Sequence, residues 1–233
     1  MPFPAAEGRG LKIAVIDSGV NARHPHIIAA THGVVLETDS GGGSAEDRLG
    51  HGTAVMAAIQ EKAPAAEYFA VKLFWDSLRT TVPRLIAAVD WAIAHGMDIV
   101  NLSLGTPNLE HGRLFEALLE RAAARGAILV APTHSDERPM LPGILPGVVS
   151  AGVDWNLPRH AYRTGGEGQP RFFASGYPRP LAGRPPGGNL YGISFAAANL
   201  TGIVARALEG TQDRRFDTVH GLLAQEAHRI AAG

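Results

Sequence analysis

Short apolar runs rich in β-branched residues alternate along this chain with longer segments whose apolar positions recur every three or four residues. Residues 11–16 (LKIAVI), closed by Asp17-Ser18-Gly19, predict a buried strand ending in a tight turn. Residues 67–74, 97–104, 127–131 and 148–153 predict four more strands. Between them, residues 51–62 (HGTAVMAAIQEK) read as a helix stopped before Pro64. Residues 83–95 place Leu85, Ile86, Val89 and Ile93 on one helical face, with Gly96 as the stop. Residues 109–125 are helical and followed by Gly126. Residues 194–208 form a helix of small side chains suited to close packing in the middle of a fold. Val219, Leu222, Leu223 and Ile230 have helical spacing, so residues 211–233 end in an amphipathic helix on the outside. Residues 41–44 (GGGS) are a loop. Residues 156–189, rich in Gly, Pro and Arg, hold no long helix, with short strands around 171–174. Strands alternating with helices predict an α/β fold of three layers, α/β/α, around a mainly parallel sheet. No repeat or long linker divides the chain, so residues 1–233 are expected to form one domain.

Composition narrows the function. The chain has 233 residues, 45% of them hydrophobic and 18% charged, which excludes disorder. Its 21 Lys+Arg nearly balance 22 Asp+Glu, so no overall positive field exists to hold nucleic acid. With no Cys there is no disulfide framework, thiol nucleophile or thiolate metal site. Apolar runs such as 127–132 fall far short of the roughly 20 residues that span a bilayer, so no membrane partner is expected. The opening MPFPAAEGRG lacks the charged end and apolar stretch of a secretory signal, which predicts a cytoplasmic protein.

Three groups then stand out by position. In a parallel sheet, ligands bind beyond the carboxyl ends of the strands. Asp17 sits at such an end, His51 opens a helix after a Gly-rich loop, and Ser194 opens another helix. A Ser hydroxyl is a poor nucleophile until an imidazole takes its proton. That imidazole needs a carboxylate on its other nitrogen to fix its tautomer and stabilise its charged form. A helix N-terminus at Ser194 would add N–H donors and a positive dipole end. Each piece alone is commonplace, as a turn, a cap or a packing motif. Their order discriminates: Asp, His, Ser is the subtilisin order, and the Gly-x-Ser-x-Gly elbow of the α/β-hydrolases is missing.

The chain resembles the subtilisin-like serine peptidases. The resemblance runs from about residue 11 to residue 209 and rests on five ordered blocks: AVIDSGV, DRLGHGTAV, YFAVKLF, DWAIAHGMDIVNLSLG and LYGISFAAA. It implies a subtilisin-like fold and a serine endopeptidase. By resemblance, Asp17 orients the imidazole, His51 is base and then acid, and Ser194 is the nucleophile. Ser103, Leu104 and Gly105 match the edge strand against which the family pairs an extended peptide.

Departures from the family pattern refine this. The Asn whose side chain donates to the oxyanion is missing; the segment after residue 131 reads Pro132-Thr133-His134-Ser135-Asp136. Ser135, His134 and Thr133 are therefore the candidate replacements. Ile193 stands where the family has Thr, and Ala198 where it has Pro. Losing one oxyanion donor costs about 10²–10³ in turnover. The acidic residue that would follow His24-Pro25 is His26, and residues 60–64 pass straight to the next strand, so the family calcium site is expected to be absent. His24 and His26 have no third ligand nearby for zinc, and no metal or other cofactor is expected. Phe74 is expected to narrow the pocket for the residue two before the cut. Leu78 and Arg79 occupy the place of family glycines beside the substrate, and the loop 135–142 is short. Arg79, Arg138, Asp136 and Glu137 either read charges on the substrate or are ordinary solvated residues. No folding propeptide is expected. The implied partner is a peptide or protein precursor. The pattern fits a dedicated processing peptidase that removes a leader, and the alternative is an impaired pseudoprotease that binds a peptide without cutting it.

Overall fold

A computed structural model describes residues 1–36, 43–169, 171–183 and 188–232. Eight strands form one sheet in the order β2-β3-β1-β4-β5-β8-β10-β9. They are β1 (Lys12–Asp17), β2 (Thr31–Val35), β3 (Glu67–Lys72), β4 (Ile99–Leu102), β5 (Ile128–Pro132), β8 (Val148–Val153), β9 (Tyr162–Thr164) and β10 (Phe172–Ala174). Two further short strands, β6 (His134–Ser135) and β7 (Arg138–Pro139), pair as a separate hairpin. All pairings in the large sheet are parallel except that of β9 with β10.

Helices cover both faces, as a parallel sheet requires. Alternation along β1 shows why: Ile13 and Val15 join one core, Ala14 and Ile16 the other. The first core packs α1 (His51–Gln60), α4 (Ile193–Leu208) and α5 (Phe216–Ala232). The second packs α2 (Val82–Ala94) and α3 (Gly112–Ala124). The three-layer α/β/α arrangement expected from the sequence is thus observed. β1 has β3 on one side and β4 on the other, so its carboxyl end is the point where the strand order switches direction. Asp17 ends β1 there.

Several boundaries differ from expectation. β4 ends at Leu102, so Ser103, Leu104 and Gly105 lie beyond the strand rather than in it. β4 is also an inner strand, flanked by β1 and β5. Past it, Thr106 exchanges backbone hydrogen bonds of 2.9 Å with Leu141. In α5, Val219 and Leu223 are fully buried, but Ile230 is 43% exposed and lies off the buried face. The expected glycine loop falls partly on residues 41–42, outside the described residues.

Candidate active site

Asp17 is fully buried and its carboxylate is aimed by two contacts. Ser18 N–H donates to Oδ1 at 2.7 Å, and His51 Nδ1 lies 2.8 and 3.0 Å from the two oxygens. A carboxylate only accepts, so Nδ1 carries the proton and Nε2 is left with its lone pair. The His51 side chain is 11% exposed, and the Phe195 ring, at the start of α4, stands 5.6 Å away. Burial of the ring works against a positive charge. The hydrogen bond and charge of Asp17, with help from Asp47, outweigh it and raise the His51 pKa above the ordinary imidazole value.

The turn that ends β1 and the start of α1 are locked together. Gly52 N–H donates to Ser18 Oγ at 2.8 Å, and Ser18 Oγ donates to Asp47 Oδ1 at 2.8 Å. Gly52 is required because a Cβ there would stand 2.3 Å from Gly19 O. Asp47 caps α1 from outside: its oxygens accept from Leu49 N, Gly50 N, Thr53 N and Thr53 Oγ1. Of these, Thr53 N–H is one of the unpaired donors of the α1 N-terminus, which a carboxylate satisfies well, and the Leu49 and Gly50 N–H groups belong to the turn leading into the helix. The role of Asp47 was not read from the sequence. Its signal was an acidic residue just ahead of an uncapped helix start.

Ser194 lies in the first turn of α4, after Gly192 at φ 151°, ψ 175°. That region of backbone space is open essentially to glycine alone. Nothing lies within 4 Å of a Cβ placed on Gly192, so the demand is conformational. Ser194 Oγ donates to Ser103 O at 3.0 Å, and no hydrogen bond joins it to His51 among the described residues. Its backbone N–H sits in the first turn of α4, where helix N–H groups have no intrahelical acceptor.

The oxyanion candidates are not equivalent. Thr133 is buried, and both its N–H and its hydroxyl donate to Ala151 O, at 3.1 and 3.2 Å. Its side chain is already committed. His134 is exposed and pairs with Pro139 in the β6–β7 hairpin, and half-buried Ser135 pairs with Arg138. The hairpin turns at Asp136 and Glu137, both at positive φ (48° and 65°). Phe74 is buried, and its N–H donates to Asp17 O at 3.2 Å. Leu78 and Arg79 are exposed in the bend after β3. Ser103 is nearly buried, with its hydroxyl accepting from Asn101 Nδ2 at 2.9 Å, and Leu104 and Gly105 are half-buried. His24 and His26 meet edge to face, 5.0 Å between centroids. Among the described residues, no group of three His, Asp or Glu is placed to hold a metal ion.

The sequence model of the subtilase family matches residues 8–134, more than half of the chain. The chain belongs to the subtilase family. Relatives include the minor extracellular protease Epr of Bacillus subtilis, 35% identical over 138 residues, covering 55% of this chain and 20% of that protein. Subtilisin Savinase of Lederbergia lenta is 34% identical over 142 residues, covering 55% of this chain and 51% of its own length. The chain thus spans at most about half the length of these two relatives. Among solved structures, a cold-adapted subtilisin-like serine proteinase superposes at TM-score 0.74 with 19% identity, over 94% of this chain and 83% of that one. A lanthipeptide protease gives 0.72 and 19%, over 94% and 80%. The prenylagaramide maturation protease gives 0.63 and 25%, over 85% and 75%. These likenesses support the subtilisin-like fold across nearly the whole chain. The family match ends at His134, so Ser194 lies beyond it.

Proposed function

We propose that this chain is a serine endopeptidase that works through an acyl-enzyme on Ser194. The observation that carries the reading is the buried Asp17–His51 pair at 2.8 Å, with the ring of Phe195, the residue after Ser194 in the first turn of α4, 5.6 Å from the imidazole. In this mechanism the Ser194 hydroxyl leaves Ser103 O and donates instead to His51 Nε2. Oγ then attacks the scissile carbonyl carbon while Nε2 takes its proton. The negative oxygen is met by the Ser194 N–H and the positive end of α4. As the C–N bond breaks, His51 returns the proton to the leaving amine. A water attacks the acyl carbon by the same relay, releasing the acid and restoring Ser194.

The side-chain donors at the oxyanion are thinned: Ile193 is apolar and Thr133 is engaged with Ala151. His134 and Ser135, on the hairpin, are the remaining candidates. A slow centre of this kind suits a dedicated processing peptidase that removes a leader from a modified precursor peptide. Support comes from the likeness to a prenylagaramide maturation protease at 25% identity. The cross-linked small subunit of quinohemoprotein amine dehydrogenase is a candidate precursor. Residues 103–105, after β4, would pair with the substrate backbone, and residues 1–233 would act as one peptidase domain. We place the activity in the cytoplasm, in keeping with a chain that has no Cys; no helix among the described residues is long and apolar enough to cross a membrane.

One observation favours a second reading. Ser194 donates to Ser103 O rather than to His51, which a peptide-binding pseudoprotease would tolerate. The test is incubation with candidate precursors and with casein, read by mass spectrometry. A single cut in a precursor with casein left intact fits dedicated processing. Efficient casein digestion rejects the dedicated role, and no cut in any substrate favours the second reading.

A further inference from the structure

A cleft of about 540 Å³ opens beside the start of α1. Its walls come from the loop after β1, the residues leading into His51 and the segment leading to Ser194; no residue of β4 or of 103–105 lines it. Four of its lining residues carry basic side chains: His24, His26, Arg48 and Arg179. Arg48 is exposed and makes no ion pair among the described residues. Arg179 donates through Nη1 to His26 O at 3.2 Å, and its Nε stays 3.9 Å from Glu61, so the guanidinium keeps unused donors. Asp47 is the acid in the lining, but its oxygens are spent on Ser18 and the first turn of α1. Glu61, just outside, is shared among Lys62, Arg159 and Arg179. Arg48 and Arg179 against Asp47 leave the lining with a surplus of one positive charge, in a chain whose net charge is −1.

The direction of the chemistry says which part of a peptide would meet it. His51 hands its proton to the leaving amine, and Arg48, Leu49 and Gly50, which line the cleft, lead directly into His51. We propose that this cleft binds a carboxylate side chain, Asp or Glu, in the peptide segment just C-terminal to the cut, with Arg48 and Arg179 as its partners. The assignment of side rests on the peptidase reading above; the carboxylate site does not need turnover.

Binding to the Ser194→Ala protein separates the two. The probes are the free-amine peptides Ala-Glu-Ala-amide, Ala-Gln-Ala-amide and Ala-Lys-Ala-amide, followed by the imidazole NMR signals of His24 and His26. The Glu peptide should bind about fivefold or more tightly than the Gln peptide, in line with one to two partly exposed charge-assisted contacts. Arg48→Gln should reduce that preference. Arg48→Glu, at an exposed position that holds no fold contact, should turn it toward the Lys peptide, a result that misfolding cannot produce. Equal affinities for Glu and Gln peptides, or no change of preference in Arg48→Glu, would overturn the site. Charge-selective binding together with a wild-type protein that no serine-directed probe labels would overturn the peptidase reading and leave the carboxylate site in place.

Discussion

Asp17 and His51 are held from every side, whereas the Ser194 hydroxyl is held by one bond. On the acid–base side, Ser18, Gly52, Asp47 and Thr53 form a chain of hydrogen bonds that ties the end of β1 to the start of α1. On the nucleophile side, the Ser194 hydroxyl touches Ser103 O, and its neighbours Ile193 and Ala198 offer no polar group. The family match follows the same division: it covers residues 8–134, with Asp17 and His51, and stops short of Ser194. A pair whose charge must be tuned needs a fixed surround, since small shifts move an imidazole pKa. A nucleophile that must rotate to attack needs less.

Substitutions can break this contrast. The largest effect belongs to Asp17→Asn, which keeps the shape but removes the charge and allows the wrong tautomer. Turnover should fall by about 10⁴ with folding retained, measured by kcat and circular dichroism. A fall under tenfold would mean that the pair does not drive the chemistry.

The pH response sharpens the same side. His51 must be neutral to act as base, so activity should rise with pH through its raised pKa, above the ordinary imidazole value of about 6.5. Stability carries the opposite sign. A raised folded pKa means that the folded state binds the proton more tightly, so the pair's contribution is complete below the unfolded pKa. It is lost as pH rises through the folded pKa. The gap in Tm between wild type and His51→Gln should therefore shrink from pH 5 to pH 9. A gap that widens would contradict the sign.

Asp47→Ala should cost about 2 kcal/mol of stability, because it strips the cap from α1 and leaves several donors unpaired. Thermal or urea unfolding measures this, and a loss below about 0.5 kcal/mol would show that water replaces the cap. The smallest effect is expected at Thr133→Val. Its hydroxyl serves Ala151 O, so kcat should change less than about threefold, with roughly 1 kcal/mol lost in stability. A hundredfold loss in kcat would instead identify Thr133 as the oxyanion donor.

Much of this was legible in the sequence because apolar periodicity and chain order both report burial. β1, β3, β5 and β8 are inner strands, and each reads as a mostly apolar run. β2 escaped because Thr31–Val35 is an edge strand, half-exposed and polar. The β6–β7 hairpin escaped because its turn uses Asp136 and Glu137 at positive φ, where a two-residue turn normally signals itself with Asn-Gly or Asp-Gly. Residues 103–105 looked like strand because hydropathy cannot show that Ser103 O turns to meet Ser194 and Thr106 turns to pair with Leu141. Asp47 stayed hidden because a cap set several residues ahead of the helix leaves no periodic trace.

The central claim is that a loosely held Ser194 is nonetheless activated by a tightly held Asp17–His51 pair. Labelling with a fluorophosphonate, read by intact mass and by peptide mapping, tests it directly. The account predicts one adduct, on Ser194, lost in Ser194→Ala and strongly slowed in Asp17→Asn. Wild-type protein that stays unlabelled, alone and with a candidate precursor, would contradict it.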